Sequence, residues 1–199
     1  MAGSDVKVTA ISDEVAADDD FIVTAARPDT TATLANTSFA SGGARKLSVT
    51  TTGTGDNGKT TTITGTDVFG DSVSEVITST GSAEAVNGSK YFKTISSVVC
   101  SAQYAANMKV GSQAGAAQAV FAGRARLVGY SIVSGGTAGI VQFYNGTPES
   151  GSEVFSARTI GTDNTTVDNT IPDEGILFGS GITMIYTVGT IDRMNIFYA

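Results

Sequence analysis

Carboxylates and hydroxyls are the residues of this chain best equipped for chemistry. Asp and Glu together number 19, and Ser and Thr recur throughout, yet none of the 199 residues is His. A Ser nucleophile needs a neighbouring base to take its proton, and a Ser-His-Asp arrangement cannot be assembled without imidazole. Paired carboxylates alone can hydrolyse a glycoside from a cleft. The acids that invite this reading, among them Asp163, Asp168, Asp173, Glu174 and Asp192, mostly stand beside Gly, Asn or Pro, where turn chemistry accounts for them.

Metal and cofactor chemistry is equally thin. Calcium takes carboxylate and carbonyl oxygens from loops, which makes Asp18-Asp19-Asp20 and Asp163-Asn164 the candidate ligands, but neither follows the spacing of a known calcium loop. Gly53-Thr54-Gly55 runs into Asp56-Asn57-Gly58 and a further strand pattern, so it reads as a hairpin loop and not as a phosphate cradle. Cys100 is the single cysteine, and Ser97-Val98-Val99-Cys100-Ser101 places it inward on a strand with no cationic neighbour to activate the thiol. The expectation is a protein without enzymatic activity, cofactor or metal.

The elements that would position these residues are strands. Arg45-Lys46-Leu47-Ser48-Val49-Thr50-Thr51-Thr52 alternates, as do Thr60–Thr66 and Val73–Thr78, with turn residues at Gly53–Gly58 and Asp67–Asp71. Three strands in hairpin order are expected there, followed by a longer apolar strand from Tyr91 to Cys100. Beyond residue 124, strand patterns recur at roughly ten-residue spacing, the mark of a small sandwich or jelly roll. Asn145-Gly146 signals a hairpin between two of them. Ser112–Ala119 consists of small residues with Gln, and it reads as a linker or, alternatively, a short Ala-rich helix.

The predicted fold is all-β, with two small antiparallel β-sandwich domains of Ig-like or jelly-roll-like type and an extended N-terminal arm. The boundaries expected are an arm over 1–40, a first sandwich over 41–113, a linker over 114–123 and a second sandwich over 124–199. Composition agrees, with 41% hydrophobic residues against 16% charged, which is more than a disordered chain would carry. A net charge of −7 and the lack of a basic run exclude nucleic acid as a partner. The N-terminus has no basic and apolar leader pattern, no run approaches a membrane span, and the sequons at Asn36, Asn87, Asn145 and Asn164 read as products of Asn- and Thr-rich turns. The protein is therefore expected to be made in a cytoplasm and to be soluble there.

Neighbouring aromatics in one strand point to opposite faces, so one of each pair needs a cover. For Phe143-Tyr144 and Phe197-Tyr198 that cover is either another subunit or a helix or second sheet of the same chain; these four, with Phe21 and Ile22 of the arm, are the predicted interface residues. The segment Thr62–Glu75 with Tyr91–Val98 resembles a module frequent in virion-associated proteins of tailed bacteriophages. The second half, through Gly135-Gly136-Thr137-Ala138-Gly139, Ile171–Phe178 and the terminal Phe197-Tyr198-Ala199, looks like another such module. This resemblance implies a virion structural protein assembled in the host bacterial cytoplasm. Its expected role is capsid decoration or cementing: binding and stabilising the lattice of the major capsid protein, usually as a trimer. The alternative it leaves is a tail or head-fibre component that binds the host surface.

Overall fold

The computed structural model describes residues 5–199 and is all-β, built of antiparallel sheets with one short 3-10 turn at Thr54–Asp56. Its strands are β1 (Lys7–Ser12), β2 (Asp18–Ala26), β3 (Ala44–Thr51), β4 (Thr60–Thr66), β5 (Ser72–Thr78), β6 (Val86–Phe92), β7 (Thr94–Cys100) and β8 (Met108–Phe121). They continue with β9 (Ala125–Ser134), β10 (Ile140–Asn145), β11 (Ser152–Arg158), β12 (Thr166–Thr170), β13 (Ile176–Phe178), β14 (Ile182–Thr187) and β15 (Ile191–Tyr198). No helix among the described residues is long and apolar enough to cross a membrane.

The chain forms two compact units, and their boundaries differ from the expected ones. Unit 1 takes residues 1–15 and 115–199, and unit 2 takes residues 16–114. The predicted arm does not exist as such. Residues 7–12 pair with β15, Lys7 opposite Tyr198, and residues 18–26 pair with β8. The predicted linker, 114–123, is also strand, since β8 runs through it to Phe121. Ala116 and Ala117 are fully buried there, and a Cβ at Gly111 would collide with the Asp18 and Asp19 backbone. Small residues in β8 thus admit close neighbours, which a search for large apolar anchors overlooks.

In unit 2, β5-β4-β7 form one sheet, and β3 lies between β8 and β6 in another. The β4–β5 hairpin forms as expected around Asp67, whose Oδ1 accepts the Phe69 and Asp71 amides at 2.9 and 3.0 Å. β3 does not join that hairpin and pairs with β6 instead. The single apolar strand expected over Tyr91–Cys100 is split after Phe92, so that β6 and β7 serve different sheets. Leu47, Phe92 and Met108 from one sheet and Ile63, Ile95 and Val98 from the other bury a common core, which is sandwich-like. Cys100 points into this core as predicted, and burial pushes its thiol pKa up.

Gly65 shows how tightly β4 and β7 approach: a Cβ there would fall well inside contact distance of the Thr94 carbonyl oxygen. Gly65→Ala must open the ladder at that point. A loss of about 2–3 kcal/mol is expected, the upper range for forced overpacking, and urea unfolding will measure it.

Unit 1 is the second sandwich-like unit. One sheet has the order β1-β15-β9-β12, with β13 also on β9, and the other brings together β11, β10, β14 and the later part of β8. The Asn145-Gly146 signal is borne out by the antiparallel β10–β11 pair. Leu127, Ile132, Met194 and Ile196 of the first sheet and Val141, Phe143, Met184 and Tyr186 of the second fill one core.

Candidate binding cleft

Strand alternation decides which side chains of unit 1 leave the core. Along β9, Tyr130 and Ile132 face inward, so Gly129, Ser131 and Val133 face out. Register carries this across the sheet. Val8, Phe197, Gly129 and Thr170 form one outward row, and Ala10, Asn195, Ser131 and Asp168 form the next. Phe197, Gly129 and Thr170 of the first row, Ser131 and Asp168 of the second and a loop at the sheet edge line a cleft of about 1040 Å3.

The floor owes its depth to glycine. A Cβ built at Gly129 would stand 3.7 Å from Phe197 Cδ2 and 3.6 Å from Thr170 Cα, so any larger side chain would fill the trough between ring and hydroxyl. It would also press to 2.9 Å on the Asn169 carbonyl oxygen. A register shift at Phe197 and Tyr198 makes Val128 an extra residue in β9, and Val128 lines the cleft as well.

The wall is a loop interrupting an edge strand. β12 ends at Thr170 and β13 resumes at Ile176, both paired to β9, while residues 171–175 step out of the sheet. The Ile171 amide donates to the Val128 carbonyl at 2.9 Å, and Asp173 and Gly175 take positive φ of 60° and 74°. A Cβ at Gly175 would strike the Leu127 carbonyl oxygen, so this turn requires glycine. Arg126 fastens the loop: its Nη2 meets Glu174 Oε2 at 3.1 Å and its Nη1 donates to the Gly175 carbonyl at 3.3 Å. The Asn169 amide, on the inward side, donates to the Tyr130 hydroxyl at 3.4 Å. Phe197 offers an apolar ring in this cleft, Ser131 and Thr170 offer hydroxyls, and Asp168 and Asp173 offer carboxylates.

Comparison with protein-family models, with curated proteins and with solved structures gives no match.

The aromatic pairs separate across their strands as alternation requires. Phe143 is fully buried against Tyr130 and Phe155, with ring centroids 6.3 and 5.9 Å away, while Tyr144 is half-buried. Tyr198 turns inward against Phe121 at 5.2 Å, and Phe197 turns outward into the cleft. Ile22 lies wholly within the unit 2 core, and Phe21 stacks on Phe39 at 5.4 Å. Ile22, Phe143 and Tyr198 are thus covered by their own units, and of the six predicted interface residues Phe197 is the one lining the cleft.

Of the carboxylates singled out in the sequence, Asp168, Asp173 and Glu174 come together along the cleft, whereas Asp163 and Asp192 do not line it. Asp18, Asp19 and Asp20 bring oxygens within 4.8 Å of one another on a largely exposed stretch, where Lys109 pairs with Asp19 at 2.9 Å. Asp173 does sit in a turn, but Asp168 and Asp192 are exposed strand residues.

Sequence reasoning missed Asp56, the last residue of the 3-10 turn, whose side chain is fully buried. It accepts from Thr51 Oγ1 at 2.7 Å, Lys59 Nζ at 2.9 Å and the amides of Ala105 and Ala106 at 2.5 and 3.2 Å. Burial pushes its pKa up, but the donors from Ala105, Thr51, Lys59 and Ala106 outweigh burial and hold the carboxyl well below its ordinary range. The only sequence signal was an Asp among turn glycines, which is the commonest and least informative place for one.

Proposed function

We propose that this chain is a non-enzymatic structural protein of a tailed-bacteriophage virion that decorates the capsid, binding and stabilising the lattice of the major capsid protein. The observation that carries the reading is an apolar margin on unit 1. Edge strand β11 leaves Val154 40% exposed, Ile160 just beyond it 56% exposed, and Ile140 on neighbouring β10 42% exposed. Glu153 and Arg158 put charge on the same edge strand, and the aliphatic side chains beside them are a surface on which a partner gains contact area. A trimer of this chain or the capsid lattice would supply that cover, with each specific patch burying on the order of 1,000 Å2 or more. The resemblance to phage virion modules favours a capsid as the partner, and the lack of any imidazole favours a role without catalysis.

Cosedimentation of the purified chain with capsids that lack it tests the proposal. Saturable binding at a fixed ratio to the major capsid protein is expected, and the decorated shells should survive heat or low salt better. Ile160→Lys and Val154→Lys change exposed positions, so they should leave folding intact and lower the bound fraction at least tenfold. Failure to cosediment would overturn decoration and favour a tail or fibre component.

A further inference from the structure

The geometry points to a binding site for a neutral oligosaccharide in the unit 1 cleft, with Phe197 as the stacking platform and Asp168 as the acceptor of sugar hydroxyls. A pyranose presents an apolar C–H face and a rim of hydroxyls. The cleft presents the complement: an aromatic ring on its floor, with the hydroxyls of Ser131 and Thr170 and the carboxylate of Asp168 around it.

Charge narrows the class. Asp168, Asp173 and Glu174 face one cation, Arg126, and Arg126 is already engaged by Glu174. On a chain of net charge −7, such a cleft repels phosphates, uronates and sialic acids. Shape argues against a peptide. An extended peptide would add along the free edge of β12, whereas the cleft crosses the sheet from β15 over β9 to β12. Preorganisation argues for a ligand: the wall is tied to β9 by the Ile171–Val128 backbone hydrogen bond and shaped by the Gly175 turn, so less ordering remains to be done on binding.

The test is direct and independent of capsid binding. The full chain is screened against an array of neutral hexose, N-acetylhexosamine and deoxyhexose oligosaccharides, with sialylated and sulfated glycans as anionic controls. Any neutral glycan retained is then titrated in solution by amide NMR. Saturable shifts are expected at Gly129, Ser131, Asp168, Thr170 and Phe197. Asp168→Ala, on an exposed strand, should weaken binding about tenfold, as should Phe197→Ala. Should Phe197→Ala fail to fold, Phe197→Leu keeps apolar volume without the flat ring and should weaken binding similarly. Retention of anionic glycans alone, shifts outside the cleft, affinity unchanged in Asp168→Ala, or no neutral glycan bound at millimolar concentration would each overturn the assignment.

Discussion

Asp56→Asn is expected to destabilise unit 2 by about 3 kcal/mol, because every donor around the carboxylate is left facing a group that can no longer accept from all of them. Asn keeps the shape but turns one oxygen into an NH2, which then points at an N–H of Ala105 or Ala106, at the Thr51 hydroxyl or at the Lys59 ammonium. Two of those donors come from a segment some 50 residues away, so the loss loosens the tie between the 3-10 turn and the Ala105-Ala106 stretch. The pH dependence follows from the depressed pKa. The folded state holds Asp56 well below the ordinary value of 3.8, so its stabilisation is complete above that value and is lost as pH falls through the folded-state pKa. Urea unfolding of both forms at neutral pH and in acid should show the gap between them narrowing as the solution is acidified. A gap independent of pH would refute the charged role of Asp56.

Phe143→Ala is expected to cost about 3–5 kcal/mol, the range for removing a fully buried aromatic. Phe143 lies between Tyr130 and Phe155 in the unit 1 core, and truncation leaves a hole that rings fixed by their own strands cannot close. Phe143→Leu restores much of the volume and should cost about 1.5 kcal/mol or less. Amide exchange in β9, β10 and β14 is the sharpest readout, since a loss of 3 kcal/mol accelerates globally limited exchange roughly a hundredfold. If exchange there were unchanged in Phe143→Ala, the packing described for this core would be incorrect.

What the sequence disclosed depended on how local the cause was. The β4–β5 hairpin, the strands near Ile140, Ile182 and Met194, and the inward thiol of Cys100 all follow from alternation and turn residues within a short window. Strands completed by distant partners were misread. Phe21-Ile22-Val23 resembled an arm because its partner β8 lies far along the chain, and Ser112–Ala119 resembled a linker because its burial is supplied by neighbours' side chains. The cleft is the extreme case. Phe197, Gly129 and Thr170 come from three strands, and only register places them in a row. Phe197 was singled out as one of an adjacent aromatic pair, but nothing in the sequence joined it to Gly129.

The pairing of β1 with β15 sets an order on synthesis. Residues 16–114 are contiguous, so unit 2 has all its strands as soon as they clear the ribosome. Unit 1 is not contiguous. Its first strand, Lys7–Ser12, emerges early but pairs with Ile191–Tyr198. At ribosomal rates of roughly 5–20 residues per second, β1 waits on the order of ten seconds or more for that partner. The backbone edge of β1 and the side chain of Ile11, buried in the finished unit, lack their cover for that whole interval. Slow translation of the last strand would therefore lengthen the time in which two growing copies can exchange β1, and a domain-swapped assembly becomes a matter of timing as well as of affinity.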